Sequence, residues 1–81
     1  MQFSYTYILQ SIPDPTRYYV GSTADLHSRL KKHNAGKVPH TAKYCPWKIK
    51  IAVAFTDPER ARQFERYLKT ASGRAFSKQR L

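Results

Sequence analysis

Apolar and polar residues alternate from Phe3 to Gln10, with Phe3, Tyr5, Tyr7 and Leu9 on one face, which predicts a strand. The segment SIPDPT follows, and its Pro13, Asp14 and Pro15 mark a turn. Arg17 to Gly21 predicts a second strand, so the two read as a hairpin with a long loop. Alternation sets Tyr19 and Gly21 on one face of that strand and Tyr18 and Val20 on the other. The pattern then changes to a helical one, with Leu26 and Leu30 on the buried side. Ser22 or Thr23 is the expected cap, Asp25 falls in the first turn, and Gly36 is the stop.

KVPHTAKYCP reads as a basic loop ending in Pro46. Strict alternation returns in WKIKIAVAF, where Trp47, Ile49, Ile51, Val53 and Phe55 interleave with Lys48, Lys50, Ala52 and Ala54. Asp57 and Pro58 then form a cap and a first helical residue, and Ala61, Phe64 and Leu68 make the apolar stripe. Gly73 is the expected stop, with RAFSKQRL adding a short last turn. The order β-β-α-β-α predicts an α+β fold, a small and mainly antiparallel sheet with helices packed on it. Which strand the third one pairs with is not encoded in this pattern. Eighty-one residues predict one domain, 1–81.

Charge changes the picture most. Fifteen Lys and Arg against five Asp and Glu give a net of +10, a field that captures polyanions. Six tyrosines, four phenylalanines and a tryptophan supply rings that can stack on bases, so nucleic acid is the expected partner. Cys45 is the single cysteine, which excludes an intrachain disulfide and a Cys-based zinc site. Such usage fits a reducing, cytoplasmic setting. The apolar run IAVAF is too short to span a membrane, and no signal-peptide pattern opens the chain.

Against this background several polar residues stand out. Arg29 and His33 lie i and i+4 on the leucine side of the first helix or at its edge. One reading is a guanidinium offered to a phosphate; the other is an arginine snorkelling along leucines beside an ordinary half-buried imidazole. Glu65 borders the stripe of the second helix, the sole acid after its first turn among Arg60, Arg62, Arg66 and Lys69. It reads either as an i,i+4 partner of Lys69 or as a ligand for a hard divalent cation. Gly21, two residues after Tyr19 on the same face, removes bulk where a ligand could approach. No G-x-G-x-x-G, P-loop, G-x-S-x-G or H-E-x-x-H occurs, and His27, His33 and His40 lack zinc spacing.

Taken in order, these residues resemble the GIY-YIG nuclease domain, over nearly the whole chain. Tyr19-Val20-Gly21 matches the second motif; Tyr5-Thr6-Tyr7 stands in the first, keeping only its final tyrosine. Arg29 follows Tyr19 by ten residues, His33 comes four later, and Glu65 lies on the later helix, as in that family. The C-terminal asparagine of many members has no counterpart after Glu65. The resemblance implies a three-stranded, largely antiparallel sheet flanked by helices and a metal-dependent endonuclease acting on DNA, on branched or damaged duplexes. It further implies catalytic Tyr7, Tyr19, Arg29, His33 and Glu65, with Glu65 holding one Mg²⁺ or Mn²⁺. Tyr5 and Tyr18 are expected to pack. The alternative is a non-catalytic nucleic-acid-binding module that uses the same basic and aromatic residues.

Overall fold

The structure, a computed structural model, describes residues 2–81; Met1, the first residue of the expected 1–81 domain, lies outside them. Strands β1 (Ser4–Ser11), β2 (Tyr18–Thr23) and β3 (Trp47–Phe55) form one antiparallel sheet in the order β2-β1-β3. Helices α1 (Leu26–Asn34), α2 (Pro39–Ala42), α3 (Pro58–Leu68) and α4 (Ala71–Arg80) complete the α+β fold. β1 is therefore the central strand, and Thr6, Tyr7, Ile8 and Leu9 are all buried because both of its faces are covered. Tyr7 and Leu9 form a core with Trp47, against which Leu26 and Leu30 of α1 pack. On the other face the Thr6 hydroxyl donates to the Ala61 carbonyl of α3 (2.6 Å). Among the described residues no helix is long and apolar enough to cross a membrane.

The third strand departs from the expected single apolar face. Its ladder with β1 shifts register between Ile8 and Leu9, which pair with Ile51 and Ile49. Lys50 is the extra residue of a bulge, and a bulge moves the later side chains to the opposite face. Trp47 and Ile49 thus share the face of Leu9, whereas Ile51, Val53 and Phe55 share that of Ile8 and meet α3. Phe55 lies 5.8 Å from Phe64 between ring centroids.

Four boundary expectations are also corrected. α1 is capped by Asp25, whose carboxylate accepts from Ser28 N (3.0 Å), because Ser22 and Thr23 are committed to the ladder opposite Thr6 and Tyr5. Gly36, at φ +73°, does follow the end of α1 as the left-handed residue expected there. The expected basic loop contains α2, started by Pro39 at its first position. Gly73 does not stop a helix. α3 ends at Leu68, Thr70 caps Gly73 N (3.0 Å), and α4 runs ten residues instead of a turn. Gly73 is needed because a Cβ there would collide with the Tyr67 carbonyl where α4 folds back on α3. Tyr18, expected to pack, is 51% exposed.

Candidate active site

Two strands and one helix bring four of the five expected site residues together on the α1 face. Antiparallel pairing sets Tyr7 opposite Gly21 and Leu9 opposite Tyr19, so both tyrosine side chains rise on the same side. α1 crosses above them, and its i,i+4 spacing drops His33 between the rings. His33 is fully buried, its ring centroid 4.9 Å from that of Tyr19 and 6.1 Å from that of Tyr7. The sequence offered a half-buried imidazole; burial is complete because α2 closes over it.

Both ring nitrogens of His33 are bonded. Nε2 lies 3.1 Å from the Tyr7 hydroxyl and Nδ1 lies 2.7 Å from Thr41 Oγ1. Thr41 also reaches the Val38 carbonyl (3.3 Å), which uses its proton and leaves its oxygen to accept from Nδ1. That network assigns the proton to Nδ1 and makes Tyr7 the donor to Nε2. Thr41 went unrecognised in the sequence. It is held by the Trp47 indole, which donates to its carbonyl (2.8 Å), while Asn34 bonds the Trp47 backbone at both N (2.6 Å) and O (3.1 Å). The one available signal was Pro39, a helix start placed six residues from His33.

The titration of these groups follows from their burial. The Tyr7 hydroxyl is pushed up to about 12, first by burial and then by Tyr19, against the pull of Arg29. His33 is held below its ordinary value by burial and secondly by the Arg29 charge, so it is neutral at pH 7. Arg29 is half-buried and has no ion-pair partner among the described residues. A guanidinium in that position presents an uncompensated charge toward Tyr7 and His33, suited to an anion.

Glu65 enters from the opposite layer. It sits on α3, and Ser22 Oγ at the end of β2 donates to its Oε1 (2.6 Å), while Lys69 Nζ donates to Oε2 (2.8 Å). The carboxylate is near enough to Tyr7 to oppose ionisation of its hydroxyl. Burial raises the Glu65 pKa, but bonds from Lys69 and Ser22 and the charges of Lys69 and Arg66 outweigh this and hold it below the usual value. Ser22, expected as a helix cap, instead positions this carboxylate. The i,i+4 pair with Lys69 is present as well.

Gly21 corrects one expectation. The space above it is filled from within: a Cβ at Gly21 would stand 2.5 Å from Tyr7 Oη and 3.1 Å from Tyr19 Cε2. The missing side chain makes room for Tyr7, not for a ligand.

Two stability effects follow. Because His33 is neutral when folded and titrates at about 6.5 when unfolded, the unfolded chain binds the extra proton first. Its contribution is full above that value and shrinks as pH falls toward the depressed folded pKa. Urea melts from pH 8 to 5 should show this decline, and His33→Asn should flatten it. Thr41→Val leaves the buried Nδ1–H without an acceptor and should cost about 1–3 kcal/mol, whereas Thr41→Ser should remain near wild type in the same melts.

Fold and site together define a small basic α+β domain with an ionised carboxylate, an unpaired arginine and a tyrosine–histidine pair around one strand. The chain belongs to the GIY-YIG family: the model of the GIY-YIG catalytic domain matches residues 3–79. Among curated proteins it is similar to the structure-specific endonuclease subunit SLX1 of Meyerozyma guilliermondii. The two are 41% identical over 76 aligned residues, covering 84% of this chain and 25% of the relative. SLX1 of Candida dubliniensis is 42% identical over 72 residues, with 80% and 25% covered. The chain thus spans about a quarter of the length of these relatives. Among solved structures it resembles the UPF0213 protein BH0048 of Bacillus halodurans. That likeness has a TM-score of 0.55 at 32% identity, covering 94% of this chain and 80% of the other.

Proposed function

We propose that this chain is a divalent-metal-dependent endonuclease domain that hydrolyses phosphodiesters in DNA, with branched or damaged duplexes as its targets. The observation that carries the reading is Arg29: a half-buried guanidinium without a carboxylate partner, beside a tyrosine hydroxyl already bonded to a neutral histidine. Catalytic GIY-YIG membership supports hydrolysis, and relatives named structure-specific endonuclease subunits support a target recognised by shape.

The residues divide the work as follows. Arg29 stabilises the negative charge that develops on the phosphoryl oxygens. Tyr7, with a pKa near 12, is a poor base alone at neutral pH. It can take a proton from the attacking water only while passing its own to His33 Nε2, and the Nδ1–H bond to Thr41 keeps that nitrogen open. Tyr19 packs on His33 and fixes the ring in line with this transfer. Glu65 suits the role of cation ligand: it is ionised, half-buried and a hard oxygen donor, and Mg²⁺ often takes one or two carboxylates with water and phosphate. Among the described residues no cluster of three or more His, Cys, Asp and Glu forms a fuller cage. A Mg²⁺ or Mn²⁺ bound at Glu65 would supply Lewis-acid stabilisation of the phosphate and leaving oxygen.

Plasmid, flap and four-way-junction DNA incubated with Mg²⁺ or Mn²⁺ should be nicked, and EDTA or Glu65→Ala should reduce the rate at least a hundredfold, roughly the size of one lost electrostatic contact at a transition state. Binding without cleavage of any substrate, indifferent to EDTA and to Glu65→Ala, would instead establish the non-catalytic module.

A further inference from the structure

A second cation-lined feature lies on the α3 face of the sheet, away from Tyr7 and His33. It is a groove of about 670 Å³ between β1, β2 and the α3–α4 corner. Ile8, Val20 and Leu68 form its apolar part. Lys50 of β3, Lys69 of α3, and Arg74 and Lys78 of α4 surround it, and no carboxylate of the described residues lines it. Lys50, Arg74 and Lys78 have no ion-pair partner among the described residues.

Tyr18 also lines this groove, 51% exposed at the start of the edge strand β2. The ring is nevertheless held. Lys50 Nζ sits over it, 5.0 Å from the centroid, and Gln10 Nε2 donates to its hydroxyl (3.3 Å). Alternation from Lys48, which pairs with Gln10 as Tyr18 does, places Lys50 on the Tyr18 side of the sheet.

We infer that this groove binds an unpaired strand of nucleic acid, with bases on Tyr18 and the apolar floor and phosphates on the surrounding cations. A duplex would use the cations alone, because its base faces are hidden in the stack. An unpaired strand uses both, since every free base offers a face to an aromatic ring and carries a phosphate beside it. The volume lies within the range of about 300–1,000 Å³ of small-ligand sites, a scale of roughly one or two bases and too small for a duplex. Lys69 joins the groove to the other site through its ion pair with Glu65, so the strand runs toward the edge where Glu65 lies. That last step rests on the proposed nuclease site; the groove itself does not.

The test is fluorescence anisotropy of a labelled twelve-nucleotide oligothymidylate and of a matched duplex, in EDTA across a salt series. The proteins are the full chain, Tyr18→Ala, Tyr18→Trp and the triple variant Lys50→Ala/Arg74→Ala/Lys78→Ala, all altered at exposed positions. Tyr18→Ala should weaken single-strand binding roughly five- to a hundredfold, as loss of one base–aromatic stack does, with duplex binding nearly unchanged and Tyr18→Trp near wild type. The triple variant should lower the single-strand salt slope by about 2, from three lost phosphate contacts. Unchanged single-strand affinity in Tyr18→Ala, or an equal loss for duplex, overturns the inference. So does a polyglutamate that competes equally with the oligonucleotide, which would make the groove a docking site for acidic protein. Because EDTA removes cleavage from the readout, a failed nuclease assay leaves this result standing, and normal nicking with absent groove binding overturns the groove alone.

Discussion

Gly21→Ala is expected to disable the site and lower stability together. The strand backbone at Gly21 is not in the left-handed region, so the requirement is room and not a special dihedral angle. An added Cβ would meet Tyr7 Oη at 2.5 Å and Tyr7 Cζ at 2.7 Å. Tyr7 cannot swing away: it is 1% exposed, packed with Leu9 and Trp47, and bonded to His33. The clash must open the β1–β2 ladder or displace the ring. Overpacking of this kind costs about 1–3 kcal/mol, and a displacement near 1 Å at reacting groups costs on the order of a hundredfold in rate. Urea melts and single-turnover cleavage should both show the loss. A variant that melts and cleaves like wild type would mean that Gly21 serves something other than Tyr7.

Arg29→Ala should separate catalysis from binding. One cation among fifteen Lys and Arg contributes little to the capture of DNA, so affinity should change only a few-fold. The cleavage rate should fall about 10²- to 10³-fold, as when a single donor to a developing charge is removed. Stability should not fall, because a half-buried charge without a carboxylate partner is being deleted. Arg29→Lys should restore little, since an ammonium cannot reproduce the fork that holds two phosphoryl oxygens. Single-turnover rates set beside anisotropy titrations decide the matter: parallel losses in rate and affinity would make Arg29 a phosphate grip and nothing more.

Much of the fold was legible because local chemistry and tertiary context agree. Alternation located all three strands, and Asp57–Pro58 marked the start of α3 to the residue. Errors fell where one residue type serves two purposes. Ser22 and Thr23 look like caps, yet a sheet partner and Glu65 claim them first. Gly73 looks like a stop, yet its missing side chain admits the Tyr67 carbonyl at a helix–helix corner. The Lys50 bulge is invisible to a period-two reading, because an extra residue in one strand is defined only against its partner.

The candidate site divides in the same way. Sequence alone determined which side chains are available and that Tyr19 and Tyr18 face opposite ways, because strand periodicity is a local property. It also placed Arg29 and His33 on one helical face. Only the tertiary structure decided that Thr41 orients His33, that Ser22 holds Glu65, and that Tyr7 occupies the space Gly21 leaves. Each of these contacts joins residues on different elements, or on one element folded against another. Local periodicity fixes the direction of a side chain, but what that side chain meets depends on how the layers close.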